Sequence, residues 1–251
     1  MQLILAAEKC GEQNPEPQQR KDCGEMMKWE KMPERFRNEA VKEYYEILEK
    51  RKVSLIVKRV FDIFTALIIT VIALPFMLII AVWIKLDSKG TVFFRQRRVT
   101  TYGRVFMIYK FRTMVSDAEK RGTQVTVSHD SRVTNAGRFL RKCRLDELPQ
   151  LFNVLKGDMS FVGTRPEVER YVERYTDEMM ATLLMPAGIT SLASIRFKDE
   201  EKLLDGAADP DEVYVQTVLP QKMAYNLAYI RKFNFFYDIR LMFMTFFAVI
   251  H

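Results

Sequence analysis

In the stretch RLDELPQLFNVLKGDMSFVGTRP, residues 144–166, two carboxylates stand side by side at Asp146 and Glu147. Five cations, Arg138, Arg141, Lys142, Arg144 and Arg165, lie close to them in sequence. One reading of the pair is structural. Pro149 suits the first turn of a helix and pushes Leu148 toward extended geometry, so a short helix is predicted over 149–156, closed by Gly157. Acidic groups just ahead of it would be stabilised by free N–H groups and the helix dipole. The other reading is chemical. Two carboxylates among so many cations suit phosphate binding only if something offsets their charge, and a divalent cation would do so. One carboxylate can hold Mg2+ beside substrate phosphates. The other can attack phosphorus to form an acyl phosphate, while arginines grip the phosphates and balance the developing charge.

The rest of the composition narrows the chemistry. With 39 Lys+Arg against 32 Asp+Glu, the net charge of +7 draws the chain to polyanions: phosphorylated small molecules, nucleic acid or an anionic membrane face. His129, in a polar loop, and the terminal His251 are its two histidines, which makes a Ser-His-Asp triad or a histidine-rich metal centre improbable. Cys10, Cys23 and Cys143 form no paired metal-ligand spacing and suit a reducing compartment.

The elements that must position the pair begin with a polar N-terminal region. Its first thirty or so residues, which include the Gln/Glu/Pro-rich run GEQNPEPQQRKD, lack the apolar content to fold alone. No secretory signal is expected from its pattern. PERFRNEAVKEYYEILEKRK then predicts an amphipathic helix, with Phe36, Ala40, Val41, Tyr44, Ile47 and Leu48 at helical spacing.

Residues 63–84, IFTALIITVIALPFMLIIAVWI, carry no charge. About 22 residues at about 1.5 Å each can cross a bilayer's hydrocarbon core. Pro75 near the middle predicts a kink or break. Both flanks are cationic, with Arg51, Lys52, Lys58 and Arg59 before and Lys85, Lys89, Arg95, Arg97 and Arg98 after. Such flanks give no preferred direction across a membrane. A hairpin entering and leaving on the cytoplasmic face satisfies them; a straight spanning helix with a tolerated proline and a buried core helix are the alternatives.

Beyond this segment, β-like runs at 92–94 and 105–109 flank a Tyr-Gly turn, with a basic face of Arg95, Arg97, Arg98, Lys110 and Arg112. Thr134 or Asn135 is the candidate cap of the next helix. Residues 166–183 read as a charged helix, and PAGITSLASIRF as loop and strand. The uncharged tail 241–250 is too short to span a bilayer. It fits an interfacial helix with Arg231, Lys232 and Arg240 toward headgroups, or a core helix of the globular part.

From about Lys58 onward the chain resembles the bacterial sugar transferase family, the monotopic phosphoglycosyl transferases. The matching stretches are KRVFDIFTALIITVIALPFMLIIAVWIKLDSKGTVFFRQRRV, YKFRTM, DSRVTNAGRFLRKCRLDELPQLFNVLKGDMSFVGTRPE and FYDIRLMFMT. The resemblance implies transfer of a sugar-1-phosphate from a UDP-sugar to undecaprenyl phosphate, with release of UMP, as the first membrane step of exopolysaccharide, capsule or other glycan assembly. It implies that Asp146 is the nucleophile, that Glu147 is its acidic partner at Mg2+ with Asp146 beside the metal, and that Arg165, Arg141 and Lys110 contact phosphate. YKFRTM adds Arg112 as a further phosphate-binding candidate.

The fold implied is α+β, a mostly helical monotopic membrane protein. It would hold a re-entrant helix broken at Pro75, a small β-hairpin and interfacial amphipathic helices. Its parts would be an N-terminal extension (1–50), the membrane segment (51–90) and a cytosolic catalytic domain (91–251) on the cytoplasmic face of the inner membrane. Expected partners are the UDP-sugar, undecaprenyl phosphate and anionic lipid; nucleic acid is not expected, and a homo-oligomer is compatible.

Two departures from the family pattern stand out. Leu74-Pro75 replaces the usual Ser-Pro, leaving Thr70 as the hydroxyl that could support the bend, and Thr164-Arg165-Pro166 replaces Pro-Arg-Pro. The competing classes are weaker. A membrane adaptor with basic patches would need only a capping role for the acidic pair, and nucleic-acid signatures are missing. A metal-dependent phosphatase or nuclease would need further carboxylates at metal-bridging spacing.

Overall fold

The computed structural model describes residues 26–118, 130–197, 203 and 209–250. The first twenty-five residues, His129, His251, Cys10 and Cys23 lie outside the described residues. Asn38 opens the first helix, its side chain accepting from the Val41 amide, and α1 covers Glu39–Glu49. It starts later than the sequence pattern suggests, because Pro33 directs the chain through 3-10 turns at Trp29–Lys31 and Glu34–Phe36. Val41, Tyr44, Tyr45 and Leu48 are buried in one core with Leu184, Met223 and Ile230. Arg35 adds a strap, donating to the carbonyls of Val172 and Glu173 at 2.9 and 3.2 Å.

Helix α2, Lys52–Asp87, is the one helix among the described residues long and apolar enough to cross a membrane. Its backbone stays helical through Pro75, so the proline does not unwind the chain into two separately ended helices. Proline removes one N–H bond, to the carbonyl of Val71, and the neighbouring turns carry the helix past it. The hydroxyl of Thr70 makes no hydrogen bond, so it does not take the role of the family's serine. Leu67, Val71, Ile72, Phe76, Ile79 and Val82 are exposed, while the charged Lys58 and Asp62 are buried. This inverts the usual distribution and is what a helix with an apolar surrounding requires.

The strands β1, Phe93–Val99, and β2, Val105–Phe111, form an antiparallel hairpin. Its connection contains Tyr102 and Gly103, both at positive φ. Thr134 caps α3, Asn135–Lys142, by accepting from the Gly137 amide. Helix α4, Gln150–Lys156, follows Pro149 and ends at Gly157, whose φ of 85° is the left-handed conformation a helix stop favours.

A second sheet goes beyond the sequence expectations in its pairing: β3, Met159–Val162, runs parallel to β4, Ala187–Thr190, which lies in the expected loop-and-strand stretch 186–197. The predicted helix over 166–183 is reduced to α5, Glu169–Val172, and a 3-10 run at Met179–Leu184. The reason is topological, since the chain must return to set β4 beside β3. Short helices α6, Leu192–Arg196, and α7, Pro210–Val213, precede a π-helical turn at Tyr214–Val218. Two longer helices finish the described chain, α8, Leu219–Lys232, and α9, Phe235–Ile250. Arg231 lies over the Tyr44 ring at 4.9 Å, so it faces α1, whereas Phe236, Phe243, Phe246 and Phe247 of α9 are exposed. Among the described residues the architecture is mixed α and β, predominantly helical, with two two-stranded sheets.

Candidate active site

Arg144 adopts left-handed φ/ψ of 56° and 19°, turning the chain after α3 into a 3-10 turn at Leu145–Glu147. A non-glycine residue in this region is uncommon and costs on the order of 1 kcal/mol. The turn buries Asp146 and Glu147 at 7% and 9% exposure. Among the described residues neither side chain caps α4, whose N-cap is Pro149, so any support from that helix comes through its dipole alone.

The two carboxylates have opposite surroundings. Glu147 Oε1 accepts from Lys110 Nζ at 3.3 Å and from Arg165 Nη2 at 3.0 Å, with Arg144 Nη1 3.9 Å away. Burial alone would push its carboxyl up, but Arg165, Lys110 and Arg144 outweigh burial and hold it well below the usual carboxylate range. Asp146 Oδ1 is buried with no hydrogen-bond partner among the described residues. Burial raises its carboxyl, and the pull of Lys110, Arg141 and Arg144 does not cancel that rise. An unpartnered buried oxygen costs about 1–3 kcal/mol, so its retention calls for a ligand or a reaction. Lys110 is itself pushed down by burial and by Arg165, with Glu147 and Asp146 opposing.

Three elements from distant parts of the sequence meet here. Lys110 comes from β2, whose place is fixed by Asn153: Tyr109 N donates to Asn153 Oδ1 at 3.0 Å and Asn153 Nδ2 to the Met107 carbonyl at 2.8 Å. Arg165 comes from the loop after β3. That loop is buttressed by buried Glu167, which accepts from Tyr214 Oη at 2.6 Å and lies 3.6 Å from Lys222 Nζ, while Arg98 donates to the Pro166 carbonyl at 3.1 Å.

Of the sequence candidates, Asp146, Glu147, Lys110 and Arg165 are in contact or adjacent, and Arg141 acts on Asp146 through space. Arg112 is not among them. Its guanidinium donates to the carbonyls of Ser88 at 2.7 Å and Lys89 at 2.9 Å, at the end of α2. The reason is register: β2 ends at Phe111, so Arg112 no longer shares the face of Lys110. The buttress at Glu167 and the Asn153 clamp escape sequence reasoning. Their only signals are a glutamate after Arg165-Pro166 and a lone amide inside the apolar run LFNVL.

The family model described as Bacterial sugar transferase matches residues 53–251, a span that contains every one of these groups. The chain belongs to the bacterial sugar transferase family. The match leaves α1 outside. Among its relatives, a UDP-N-acetylgalactosamine-undecaprenyl-phosphate N-acetylgalactosaminephosphotransferase of Aeromonas hydrophila is 39% identical over 75% of this chain and 42% of its own length. A putative undecaprenyl-phosphate N-acetylgalactosaminyl 1-phosphate transferase of Bacillus subtilis is 45% identical over 54% of this chain and 75% of its own. A UDP-glucose:undecaprenyl-phosphate glucose-1-phosphate transferase of Xanthomonas campestris is 39% identical over 71% and 36%. The chain thus spans less than half the length of the Aeromonas and Xanthomonas proteins. Similar identity to relatives named for different sugars gives no choice of sugar.

For a family whose relatives handle diphosphate donors, the residues can be tested against a divalent cation. Among the described residues there is no group of three or more His, Cys, Asp or Glu suited to a metal. The adjacent carboxylates, one with an unpartnered buried oxygen, nevertheless fit Mg2+, which is commonly held by one or two carboxylates plus substrate phosphates.

Proposed function

We propose that this sugar transferase moves a sugar-1-phosphate from a UDP-sugar to undecaprenyl phosphate, releasing UMP through a phospho-Asp146 intermediate. The observation that carries the reading is the unpartnered buried Oδ1 of Asp146 beside a Glu147 already matched by Lys110 and Arg165. One carboxylate is committed to order and the other is left free to react.

In the first step an Asp146 carboxylate oxygen attacks the phosphorus that bears the sugar. The bond from that phosphorus to the bridging oxygen breaks, its electron pair leaves on UMP, and an acyl phosphate diester to the sugar remains on Asp146. In the second step an oxygen of undecaprenyl phosphate attacks the same phosphorus, and the carboxylate is expelled. Arg165 and Lys110, held beside Asp146 by Glu147, would contact the phosphates, and Arg141 would supply further positive potential as negative charge moves. Glu147 holds those two cations in place and, with Asp146, would hold Mg2+. The ion, when bound, would screen the diphosphate charge and stabilise the leaving phosphate.

The same reading puts the site at the cytoplasmic face of the inner membrane, with α2 as a hairpin. Arg59 donates to the carbonyls of Val154 and Leu155 at the end of α4, at 2.7 and 3.3 Å. Beyond Pro75, Met77, Ile80 and Ile84 cluster with Leu140 and Phe111, and Phe152 of α4 packs against that cluster. A straight α2 would separate residues 59 and 80 by about 32 Å, whereas α4 is about 10 Å long. A bend at Pro75 reconciles the two. The exposed aromatic face of α9 suits insertion at the headgroup level beside it. Such a site would sit beside anionic lipid and begin glycan assembly.

The test is a UMP-release assay with undecaprenyl phosphate, Mg2+ and a panel of UDP-sugars. At least one sugar is expected to give release that Asp146→Asn abolishes without loss of membrane association. Turnover retained in that variant would reject the covalent route.

A further inference from the structure

Arg112 ties the end of the membrane helix to the strand that carries Lys110. Its Nη2 donates to the Ser88 carbonyl at 2.7 Å, to Ser88 Oγ at 2.9 Å and to the Ile84 carbonyl at 3.4 Å. Its Nη1 donates to the Lys89 carbonyl at 2.9 Å and to Ser116 Oγ at 3.4 Å. The side chain is 5% exposed. The Ile84 carbonyl also takes the Ser88 amide at 3.2 Å and the Lys89 carbonyl the Ser116 hydroxyl at 2.8 Å, so the guanidinium joins a hydrogen-bond network at the C-terminal end of α2. The Arg112 amide also donates to the Val92 carbonyl at 2.9 Å, so the chain on both sides of the β-hairpin is joined to the same point.

Two further features make the junction tight. Gly90 has a φ of +131°, and a Cβ there would stand 2.0 Å from Arg112 Nη1 and 2.2 Å from Ser116 Oγ. Asp87, the last residue of α2, accepts from the Ala136 amide at 3.2 Å, at the start of α3. Helix α3 leads directly to the turn that holds Asp146 and Glu147. The membrane helix is therefore stapled at its exit both to the strand of Lys110 and to the helix preceding the carboxylates.

We infer that Arg112, seated against Gly90, is a positioning residue that sets the depth of the carboxylate pair relative to the bilayer, and so governs reaction with the lipid phosphate rather than with the soluble donor. The inference rests on the two-step reading above. A soluble donor diffuses to the site at any height. A lipid phosphate is confined to the headgroup plane, and a displacement of about 1 Å can cost about a hundredfold in rate.

The full chain in nanodiscs would be compared with Arg112→Met and Gly90→Ala in three measurements: exchange of labelled UMP into UDP-sugar without acceptor, transfer to undecaprenyl phosphate, and transfer to a short-chain, detergent-soluble polyprenyl phosphate. Both variants are expected to keep UMP exchange within about threefold while transfer to the long-chain lipid falls by about tenfold or more, with the short-chain acceptor largely restored. Equal loss of exchange and transfer would overturn the inference by returning Arg112 to phosphate binding or to simple folding, and unchanged lipid transfer would overturn it outright. Should Arg112→Met not fold, Ser88→Ala, which removes one acceptor, decides: it must weaken lipid transfer selectively, and no selective loss rejects the staple. If the unsubstituted protein itself shows no exchange, the covalent reading fails separately. The staple is then judged in the complete reaction, where the KM for lipid must rise while that for UDP-sugar stays constant.

Discussion

Asp146 and Asp238 are both buried aspartates in a basic protein, and their surroundings differ in one respect that matters. Asp238 Oδ2 accepts from Lys58 Nζ at 2.6 Å, Oδ1 accepts from Tyr229 Oη at 2.7 Å, and Lys58 also donates to the Val162 carbonyl at 2.7 Å. Every part of that carboxylate is used, and the pair locks the start of α2 to α9 and β3. Asp146 keeps a buried oxygen without a partner while its neighbour Glu147 collects Lys110 and Arg165. A satisfied buried carboxylate is an anchor; an unsatisfied one beside spare positive potential is a reagent held in readiness.

The comparison breaks most sharply if the two aspartates are exchanged in their effects. Asp146→Asn is expected to lower UMP release by about four orders of magnitude or more, as loss of a nucleophile does, with the fold intact by circular dichroism. Lys58→Met should do the opposite, costing about 3–5 kcal/mol of stability in thermal unfolding because it strands Asp238 as an unpaired buried charge. The double variant Lys58→Met, Asp238→Leu should recover much of that loss. Arg165→Ala should fall between, reducing kcat by about a hundredfold to a thousandfold with UDP-sugar saturating.

The smallest expected effect concerns pH. The folded state raises the Asp146 carboxyl, so its contribution to stability is full below the unfolded value of about 3.9 and is lost as pH rises through the folded value. At neutral pH that group is a burden. Asp146→Asn is therefore predicted to be more stable than the unsubstituted protein at pH 7, the gain vanishing near pH 4. Glu147 has the reverse sign. Its depressed carboxyl contributes above an unfolded value of about 4.3 and loses that contribution as pH falls, so Glu147→Gln should destabilise at neutral pH. Denaturant titrations across this range separate the two signs.

Local signals are legible in the sequence. Thr134 as a cap, Pro149 and Gly157 as the limits of α4, and the Tyr-Gly turn of the hairpin each depend on a few adjacent residues. The adjacent carboxylates are likewise visible, but their division of labour is not, because it is made by Lys110 and Arg165 from far along the chain. The β3–β4 pairing is hidden for the same reason: parallel strands need a long connection, and neither strand alternates, since β3 is buried on both faces. Arg112 looks equivalent to Lys110 at a spacing of two, a rule that expires where β2 ends at Phe111. Pro75 predicts a kink or break, and the backbone stays helical through it. A proline announces a missing hydrogen bond, and the surrounding contacts decide whether the helix stops, bends or continues.

The most direct test of Asp146 as the attacking group is intact-protein and peptide mass spectrometry after incubation with UDP-sugar and Mg2+ in the absence of acceptor lipid. The account predicts a sugar-phosphate adduct on the peptide containing Asp146, absent in Asp146→Asn and discharged when undecaprenyl phosphate is added. UMP release that occurs only with acceptor present, with no adduct at any time point, would contradict it.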